Sequence, residues 1–370
     1  MKFFNYVSGL IVLIFVCGSG FSEIQVEQKE NAKRTADKKP AKKKKKIDVA
    51  EEPEIDKKSE EIKKSFTYSC DEIRDYLVLI EHENGTGSGF VAKMGDKYYI
   101  ITNQHVIYGA KQIKFKTISG KSLHPQKVEV SRSLDIARLL LSGVDEGLVI
   151  ADKVKMGGLI CVFGNSDGAG VVTEIYGKVN GIGGDLLEVS AGFVSGNSGS
   201  PVLDLNKEVV GVASYVRFSR SSRIKKGTRF NKKSRRFCYR LGNSEWIAIN
   251  WKEYNKKYGN SYQENGELIH SLWDVYLSLR KHRRGSGIGP DRQAYPMVLS
   301  WVKSYNRKVD REERIASVSS LGRLCRGRAK KLNKFLKYQN RNMSGFLVNE
   351  FRQQSEMLQA FSEYFIAFSK

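Results

Sequence analysis

One short stretch of the sequence has the residue types and spacing that a nucleophilic serine requires. Residues 196–201 read Gly-Asn-Ser-Gly-Ser-Pro, so Ser198 lies between two glycines. Glycine permits the unusual backbone conformations of a tight turn and lets a substrate approach closely. Such a turn would aim the N–H groups of Gly196 and Ser198 at one point, where they could stabilise an oxyanion. If the hexapeptide stood alone, a simple hairpin turn would be the better interpretation.

A serine hydroxyl also needs a general base near neutral pH, and that base needs an acid to orient it. His105 follows a β-type run that ends at Ile101, and Asp135 opens another such run. The remaining histidines have no comparable setting; they are His82, His124, His270 and His282. The chain order His, Asp, Ser matches one known catalytic triad and excludes that of the α/β-hydrolases. The sequence therefore predicts His105, Asp135 and Ser198 as the catalytic residues.

The elements that must position these residues are short β-type segments. Between Tyr68 and about Val216, eleven apolar runs alternate with Gly, Asn, Asp and Ser. They are residues 76–80, 89–92, 98–101, 113–116, 127–130, 136–141, 159–163, 171–175, 186–189, 201–203 and 209–216. This pattern predicts an all-β sandwich or barrel. The glycine clusters at 85–89 and 181–184 lack the spacing of phosphate-binding loops, so we interpret them as barrel turns.

Six pieces of the sequence, taken in order, resemble the trypsin-like serine peptidases, in particular the bacterial HtrA-type branch. They are Gly85-Thr-Gly-Ser-Gly-Phe-Val91, Thr102-Asn-Gln-His-Val106, Asp135-Ile-Ala137, Phe163-Gly-Asn165, Gly196-Asn-Ser-Gly-Ser-Pro201 and Val209-Val-Gly-Val-Ala-Ser214. The resemblance implies an all-β double six-stranded barrel with the triad in the cleft between the barrels. It also implies hydrolysis of peptide bonds through an acyl-enzyme intermediate, with no metal and no cofactor.

The resemblance also implies a role for each site residue. His105 would be the general base and acid, Asp135 its orienting carboxylate and Ser198 the nucleophile. The N–H groups of Gly196 and Ser198 would form the oxyanion hole. The implied substrate-binding residues are Gly192 and Phe193 at the base of the primary pocket, Val216 on its wall, and Ser214, Tyr215 and Val216 as the strand that pairs with substrate. Because no carboxylate occurs there, a small or medium apolar substrate side chain is expected rather than Lys or Arg.

Three features depart from the family pattern. Asn197 stands where digestive trypsins carry an aspartate that pairs with a newly cut N-terminus, so that zymogen switch should be absent. Ser200 replaces the usual glycine. No recognisable PDZ domain follows the peptidase segment, so HtrA-style substrate capture and cage assembly do not carry over from the resemblance.

The N-terminus predicts export. Lys2, the apolar run 10–16 and the small residues 18–20 form a secretory signal peptide over residues 1–20. The apolar run is shorter than the roughly 20 residues that span a bilayer. A lipidated Cys17 and an uncleaved N-terminal membrane anchor are the alternatives. The protein is therefore expected to be secreted or periplasmic.

Composition divides the rest of the chain. Residues 21–66 are Lys/Glu-rich and predict a disordered linker before a peptidase domain over residues 67–245. Residues 246–370 predict a helical domain of unknown role, because apolar residues recur every three or four positions from about Glu267 to His282 and from Arg311 to the C-terminus, with a glycine-rich turn at residues 285–290 between them. The repeating positions include Ile315, Val318, Leu321, Cys325, Leu332, Leu336, Leu347, Phe351, Leu358, Phe361 and Phe365. The simplest role is stabilisation of the peptidase; regulation or partner docking is the alternative.

The chain has a formal net charge of +23, and residues 217–240 contribute strongly to it because they contain eleven Lys or Arg residues and no Asp or Glu. Basic residues mixed with aromatic ones can bind nucleic acid, but export disfavours that partner. We expect an exposed loop first and contact with an anionic envelope surface second; acidic substrates and self-cleavage are further options. The competing function is a catalytically silent scaffold that binds the envelope or a partner through its basic stretches. Protein or peptide substrates are the expected partners, and the oligomeric state stays open.

Four cysteines remain after the signal peptide: Cys70, Cys161, Cys238 and Cys325. They permit three disulfide pairings that the sequence cannot rank. Without a C-x-x-C pair they predict no metal site. Cys161 lies in the apolar run 159–163, which predicts a small buried hydrophobic residue.

Overall fold

The computed structural model describes residues 59–83, 85–218, 234–242, 244–283, 295–309, 314–338 and 340–368. The predicted signal peptide, most of the predicted linker and the glycine-rich residues 285–290 lie outside these ranges. The chain divides into two compact units. The first contains residues up to 106, 113–126 and 140–242, and the second contains residues 107–112, 127–139 and 243–370.

An antiparallel sheet in the first unit has the strand order β3-β2-β1-β4-β5. Its strands are β1 (Leu77–His82), β2 (Gly85–Met94), β3 (Lys97–Thr102), β4 (Ile113–Thr117) and β5 (Ser122–Leu123), and β8 (Leu148–Val149) pairs with β2 in parallel. Phe90 opposes Ile101 across β2 and β3. Both side chains are fully buried, as is Ile80 on β1, so the sheet forms around one apolar face.

A closed six-stranded barrel follows in the same unit. Its strands are β9 (Leu159–Gly164), β10 (Thr173–Ile182), β11 (Leu186–Val189), β12 (Pro201–Leu203), β13 (Val209–Phe218) and β14 (Ser234–Tyr239), joined in the order β10-β11-β14-β13-β12-β9. Its core contains Val162, Val179, Leu187, Val202 and Cys238. One of the two predicted six-stranded barrels is therefore confirmed, and closure satisfies every strand edge in it.

The expectation of an exposed loop over residues 217–240 is wrong at both ends. Strand β13 runs on to Phe218, and β14 begins at Ser234. The physical reason is burial: β14 pairs with β11 and β13, which puts Cys238 in the barrel core, and Phe237 is buried on the other face, where it stacks on Tyr215. Residues 219–233 lie outside the described ranges.

The second unit joins a small sheet to a set of helices. Strand β15 (Trp246–Ile249) pairs antiparallel with β6 (Lys127–Ser131), and β7 (Ala137–Leu141) comes next in the strand order. The Arg138 guanidinium lies 4.4 Å from the centre of the Trp246 ring and binds the Glu129 carboxylate at 2.5 Å. These contacts fasten β6, β7 and β15 together.

The helices confirm the predicted amphipathic pattern. In chain order they are α1 (Cys70–Ile73) and α2 (Gln104–Ile107), then α3 (Trp251–Tyr254), a π-helical turn (Asn255–Gly259), α4 (Asn260–Arg283), α5 (Tyr295–Lys308), α6 (Val318–Tyr338) and α7 (Gly345–Phe368), with short 3-10 turns at Ser166–Gly168 and Asn340–Asn342. Helix α5 and the segment 251–259 were not predicted. Of the predicted core positions, Leu321, Leu332, Leu347, Phe351 and Phe365 are all fully buried.

Among the described residues, the structure shows no membrane-spanning helix and no disulfide bond. None of their helices is both long and apolar enough to cross a membrane. Cys70, Cys161, Cys238 and Cys325 are free thiols. Cys161 is fully buried, as predicted, and burial raises the pKa of its thiol.

Candidate active site

Ser198 lies on a turn that barrel strands hold by backbone hydrogen bonds. The Gly199 N–H donates to the Ala213 carbonyl at 2.9 Å, and the Ala213 N–H donates to the Ser200 carbonyl at the same distance. Gly199 has a φ of 88°, and a Cβ there would lie 2.0 Å from the Ser88 carbonyl oxygen. Both the backbone conformation and the lack of space therefore require the glycine that follows Ser198.

The residues before Ser198 form a second turn, which orients a backbone donor. The Asn197 N–H donates to the Val194 carbonyl at 3.2 Å, and Gly196 has the positive φ of 85° that the third residue of a type II turn needs. The Ser195 carbonyl accepts the Asp167 N–H at 2.7 Å. Because C=O and N–H of one trans peptide point in opposite directions, this bond turns the Gly196 N–H away from Asp167. A predicted oxyanion donor is thus fixed in direction.

Hydrogen bonds join this turn to the segment that leads into His105. The Thr102 hydroxyl donates to the Ser88 carbonyl at 2.7 Å, and the Ser88 N–H donates to the Ser198 carbonyl at 3.0 Å. The Asn103 side-chain amide donates to the Ser214 hydroxyl at 3.3 Å, and the Ser198 hydroxyl donates to the Ser214 carbonyl, also at 3.3 Å. The structure therefore brings together three predicted parts of the site: the Ser198 turn, Ser214 and the chain entering His105. His105 itself is only 5% exposed.

Asp135 belongs to the second unit, on the loop between β6 and β7, and is fully buried. The Ser131 N–H donates to the Ile136 carbonyl at 2.9 Å, which closes the loop. Arg132 ties it to distant parts of the chain. Its N–H donates to the Glu245 carbonyl at 2.8 Å, and its carbonyl accepts the N–H of Gly345 at the start of α7. The loop that carries Asp135 is therefore held by residues more than 100 positions away.

Helix α7 also places a second carboxyl in the electrostatic neighbourhood of Asp135. Glu350 is 7% exposed. Burial, followed by the negative charge of Asp135, raises the pKa of Glu350 to about 8. The sequence does not reveal this residue, because nothing in the periodicity of α7 distinguishes an inward glutamate from its exposed neighbours.

The residues that follow His105 in the chain are likewise held by the second unit. The Asn255 side chain accepts the Gly109 N–H at 2.8 Å and donates to the Ala110 carbonyl at 2.6 Å. Tyr108 is buried among aromatic rings at centre distances of about 6 Å; they belong to Trp251, Tyr254, Tyr262 and Phe346. Residues of the helical part thus hold two segments: residues 107–112, which follow His105, and residues 127–139, which contain Asp135.

Two of the three departures from the family pattern are single residues, Asn197 and Ser200, and both are fully buried. The Asn197 amide donates to the Ser166 hydroxyl at 3.0 Å and to the Val194 carbonyl at 3.3 Å. These neutral partners need no cationic N-terminus. The Ser200 hydroxyl has no hydrogen-bond partner among the described residues.

The predicted substrate-binding residues differ from one another in how far they are exposed to solvent. Ser214 is buried, Tyr215 and Val216 are half-buried on β13, and the Tyr215 ring stacks on Phe237 at 5.1 Å. Gly192 is exposed. The Phe193 side chain lies in the barrel core, while its carbonyl accepts the Nε–H of Arg236 at 2.7 Å. In the sequence, Arg236 is only one of the eleven basic residues of the stretch 217–240.

Residues 87–212 match the family model for the trypsin-like peptidase domain. This segment is therefore similar to trypsin-like peptidase domains. The matched range includes His105, Asp135 and Ser198, and it contains segments of both compact units.

Two curated relatives of the matched segment are named as periplasmic serine endoproteases. The chain is 29% identical over 145 residues to the periplasmic pH-dependent serine endoprotease DegQ of Escherichia coli, covering 36% of this chain and 31% of DegQ. It is 28% identical over 151 residues to a probable periplasmic serine endoprotease DegP-like of Halomonas elongata, covering 38% and 31%. The chain thus spans about a third of the length of these curated relatives.

Solved structures with similarity to the chain include the Rv3671c protease of M. tuberculosis in its inactive form. That likeness has 23% sequence identity and a TM-score of 0.37, and it covers 47% of this chain and 87% of the other. A serine endoprotease from Yersinia pestis has 22% identity and a TM-score of 0.34, with coverage of 41% and 57%.

Proposed function

We propose that this protein is a serine endopeptidase that hydrolyses peptide bonds of exported proteins in the periplasm or outside the cell. The observation that carries the proposal is the Ser198 turn, where glycines flank the serine and the Gly196 N–H has a fixed direction. The peptidase-domain match supports the reaction class, and relatives named periplasmic endoproteases support the compartment. The predicted signal peptide over residues 1–20 agrees with export. Protein or peptide substrates follow from the reaction.

In the proposed mechanism His105 takes the Ser198 proton while the hydroxyl oxygen attacks the carbonyl carbon of the scissile bond. Asp135 orients the imidazole and stabilises its charged form. The N–H groups of Gly196 and Ser198 stabilise the oxyanion of the tetrahedral intermediate. His105 then protonates the leaving amine, the C–N bond breaks, and an acyl-enzyme remains. Water attacks this ester with His105 again as base, which releases the acid and restores Ser198.

The Ser214 carbonyl has a specific part in this cycle. It accepts the Ser198 hydroxyl at 3.3 Å in the free protein. A substrate strand pairing with residues 214–216 would bring its own N–H to this carbonyl. Rotation about the Cα–Cβ bond of Ser198 would then direct the hydroxyl to His105. The proposal also includes the second six-stranded barrel that the family resemblance implies, beside the closed barrel formed by β9 to β14.

The proposal is tested by active-site labelling with a fluorophosphonate, together with casein digestion, on protein that starts at Ser22. Ser198→Ala should abolish both signals. Ser200→Ala is the matched control, because its hydroxyl is buried without a partner among the described residues and its loss should leave labelling intact. Absence of labelling in wild-type protein that unfolds cooperatively would reject the proposal and favour the silent binding scaffold.

A further inference from the structure

The cross-strand register turns one arginine of the basic stretch inward. Arg236 on β14 lies opposite Val216 on β13 and opposite Val189 on β11. Directly opposed residues project from the same face of a sheet. Val189 is 3% exposed and belongs to the barrel core, so Arg236 also points inward. Its neighbour Arg235 projects from the other face and forms a two-pronged ion pair with Glu188 at 2.6 and 2.8 Å.

The hydrogen bonds of Arg236 locate its guanidinium group. The Nε–H donates to the Phe193 carbonyl at 2.7 Å, and Nη1 donates to the Ser234 hydroxyl at 3.3 Å. Phe193 directly precedes the turn 194–197 that orients the Gly196 N–H, whereas Val216 is the last of the three residues, 214–216, proposed to pair with substrate. The guanidinium therefore lies between the two segments that would enclose the substrate side chain on the acyl side of the scissile bond.

None of the described residues supplies a negative charge that is paired with this guanidinium. Both of its hydrogen-bond acceptors are neutral, and no carboxylate among the described residues forms an ion pair with it. The undescribed stretch 219–233 contains no Asp or Glu at all. Burial lowers the pKa of the Arg236 guanidinium, with no opposing acidic neighbour. A half-buried cation without a counter-charge is costly, and an incoming carboxylate would relieve that cost.

We propose that Arg236 sets the primary specificity of the peptidase by binding the carboxylate of a substrate Glu or Asp on the acyl side of the scissile bond. Two of the five guanidinium N–H groups are used by Phe193 and Ser234, so others are available for a charge-assisted bond. The inference rests on the proposed function. It replaces the apolar preference expected from Gly192, Phe193 and Val216, because that expectation omitted the side chain facing them from β14.

The competing role for Arg236 is purely structural. Its hydrogen bond to the Phe193 carbonyl would then only hold the backbone just before the turn 194–197 in place. In that case its loss would lower the hydrolysis of every substrate by the same factor. A specificity role changes the ratio between substrates instead, and the ratio is therefore the decisive quantity.

The experiment compares fluorogenic peptides that are identical except for Glu or Gln on the acyl side, which have nearly the same size but differ in charge. Wild-type protein should hydrolyse the Glu peptide with a kcat/KM about 100-fold higher. Arg236→Gln should bring this ratio close to one. Arg235→Gln, which removes the adjacent outward arginine, should keep it. A wild-type preference for Gln, or an equal loss of both activities in Arg236→Gln, would overturn the proposal.

A binding measurement separates this proposal from the proposed function, since binding needs no turnover. Peptides that end in Glu or Gln are titrated into the Ser198→Ala variant by calorimetry. The Glu peptide should bind more tightly, and Arg236→Gln in the same background should abolish the difference. Fluorophosphonate labelling without a Glu preference would overturn the specificity alone. Arg236-dependent Glu binding without labelling would reject the peptidase activity but keep the acidic pocket.

Discussion

The turn that carries Ser198 is stabilised by residues of its own unit and by its own glycines, whereas the segments next to His105 and around Asp135 are stabilised by residues far away in the sequence. The Ser198 turn depends on its own glycines and on hydrogen bonds to barrel strands of the same unit. Residues 107–112 and 127–139 depend on the helical part of the chain: Asn255 binds the first loop, and Gly345 binds the second. The proposed nucleophile is thus positioned by a local motif, whereas the segments next to its two proposed partners are positioned by distant residues.

Residues 87–212 match the peptidase-domain model. The difference shows that parts of this segment depend for their conformation on residues far outside it. The second unit unites parts of the matched segment with residues 243–370. Shortening the chain to the matched range would remove the partners of Gly109, Ala110 and Arg132. Backbone groups that lose buried partners are costly, so these two loops should be the first to lose their conformation.

The largest expected effect comes from disrupting the local motif. Gly196→Ala would place a Cβ 2.0 Å from the Asn165 carbonyl oxygen and 2.6 Å from the Gly168 nitrogen, at a φ of 85°. The turn must shift, and with it the direction of the Gly196 N–H. Loss of one oxyanion donor lowers kcat by about 100-fold to 1,000-fold. Kinetics of peptide hydrolysis measure this loss.

Gly184→Ala provides the control for that substitution, because nothing lies within 4 Å of a Cβ at this glycine. It should retain both hydrolysis and thermal stability. Full activity in Gly196→Ala would mean that the turn adapts without cost, and that the local motif is less strictly determined than its geometry indicates.

A smaller effect should follow from removing the distant support. Asn255→Ala leaves the Gly109 N–H and the Ala110 carbonyl without their partners, at about 1–3 kcal/mol for each group. The free energy of unfolding should fall by about 3 kcal/mol in total, which a lower melting temperature would reveal. Asn349→Ala, on the exposed face of α7, is the matched control. Equal melting temperatures for the two variants would contradict the support that we assign to Asn255.

Sequence patterns predict the local motif well because its causes are contained in a few adjacent residues. Glycine beside Ser198 marks a positive φ and a close approach, and all eleven β-type runs correspond to strands. Periodicity also identified Leu347 and Phe351 as core positions of α7. Each of these signals depends on intrinsic backbone preference or on burial of one face, which neighbouring residues reveal.

Patterns fail where a residue's role depends on which distant segment it meets. Arg236 reads as part of a charged run, and only the pairing of β14 with β11 and β13 turns it inward. Asn255 lies in a π-helical turn that no periodicity predicts, opposite a loop about 145 positions earlier. Glu350 has no feature in sequence that separates it from the exposed Glu356. Tertiary pairing determines all three.

The last effect concerns Glu350 and is confined to a range of pH. Its pKa is raised from about 4.5 to about 8, mainly by burial and then by the charge of Asp135. Between these values the folded protein keeps a proton that the unfolded chain has lost. Stability is therefore highest below pH 4.5, as far as this group is concerned, and falls as the pH rises towards 8. The slope cannot exceed about 1.4 kcal/mol per pH unit for a single group.

Glu350→Gln should remove that slope, because an amide resembles the protonated carboxyl and does not titrate. The variant should melt at a higher temperature than wild type at pH 8, with a gap that narrows steadily towards pH 5. Glu356→Gln on the exposed side of the same helix should show no such gap. If the melting temperatures of wild type and Glu350→Gln stay parallel across this range, Glu350 is ionised in the folded protein. Helix α7 would then place a second buried negative charge, on Glu350, near Asp135. Other interactions in the helical unit would have to offset the repulsion between these two carboxylates.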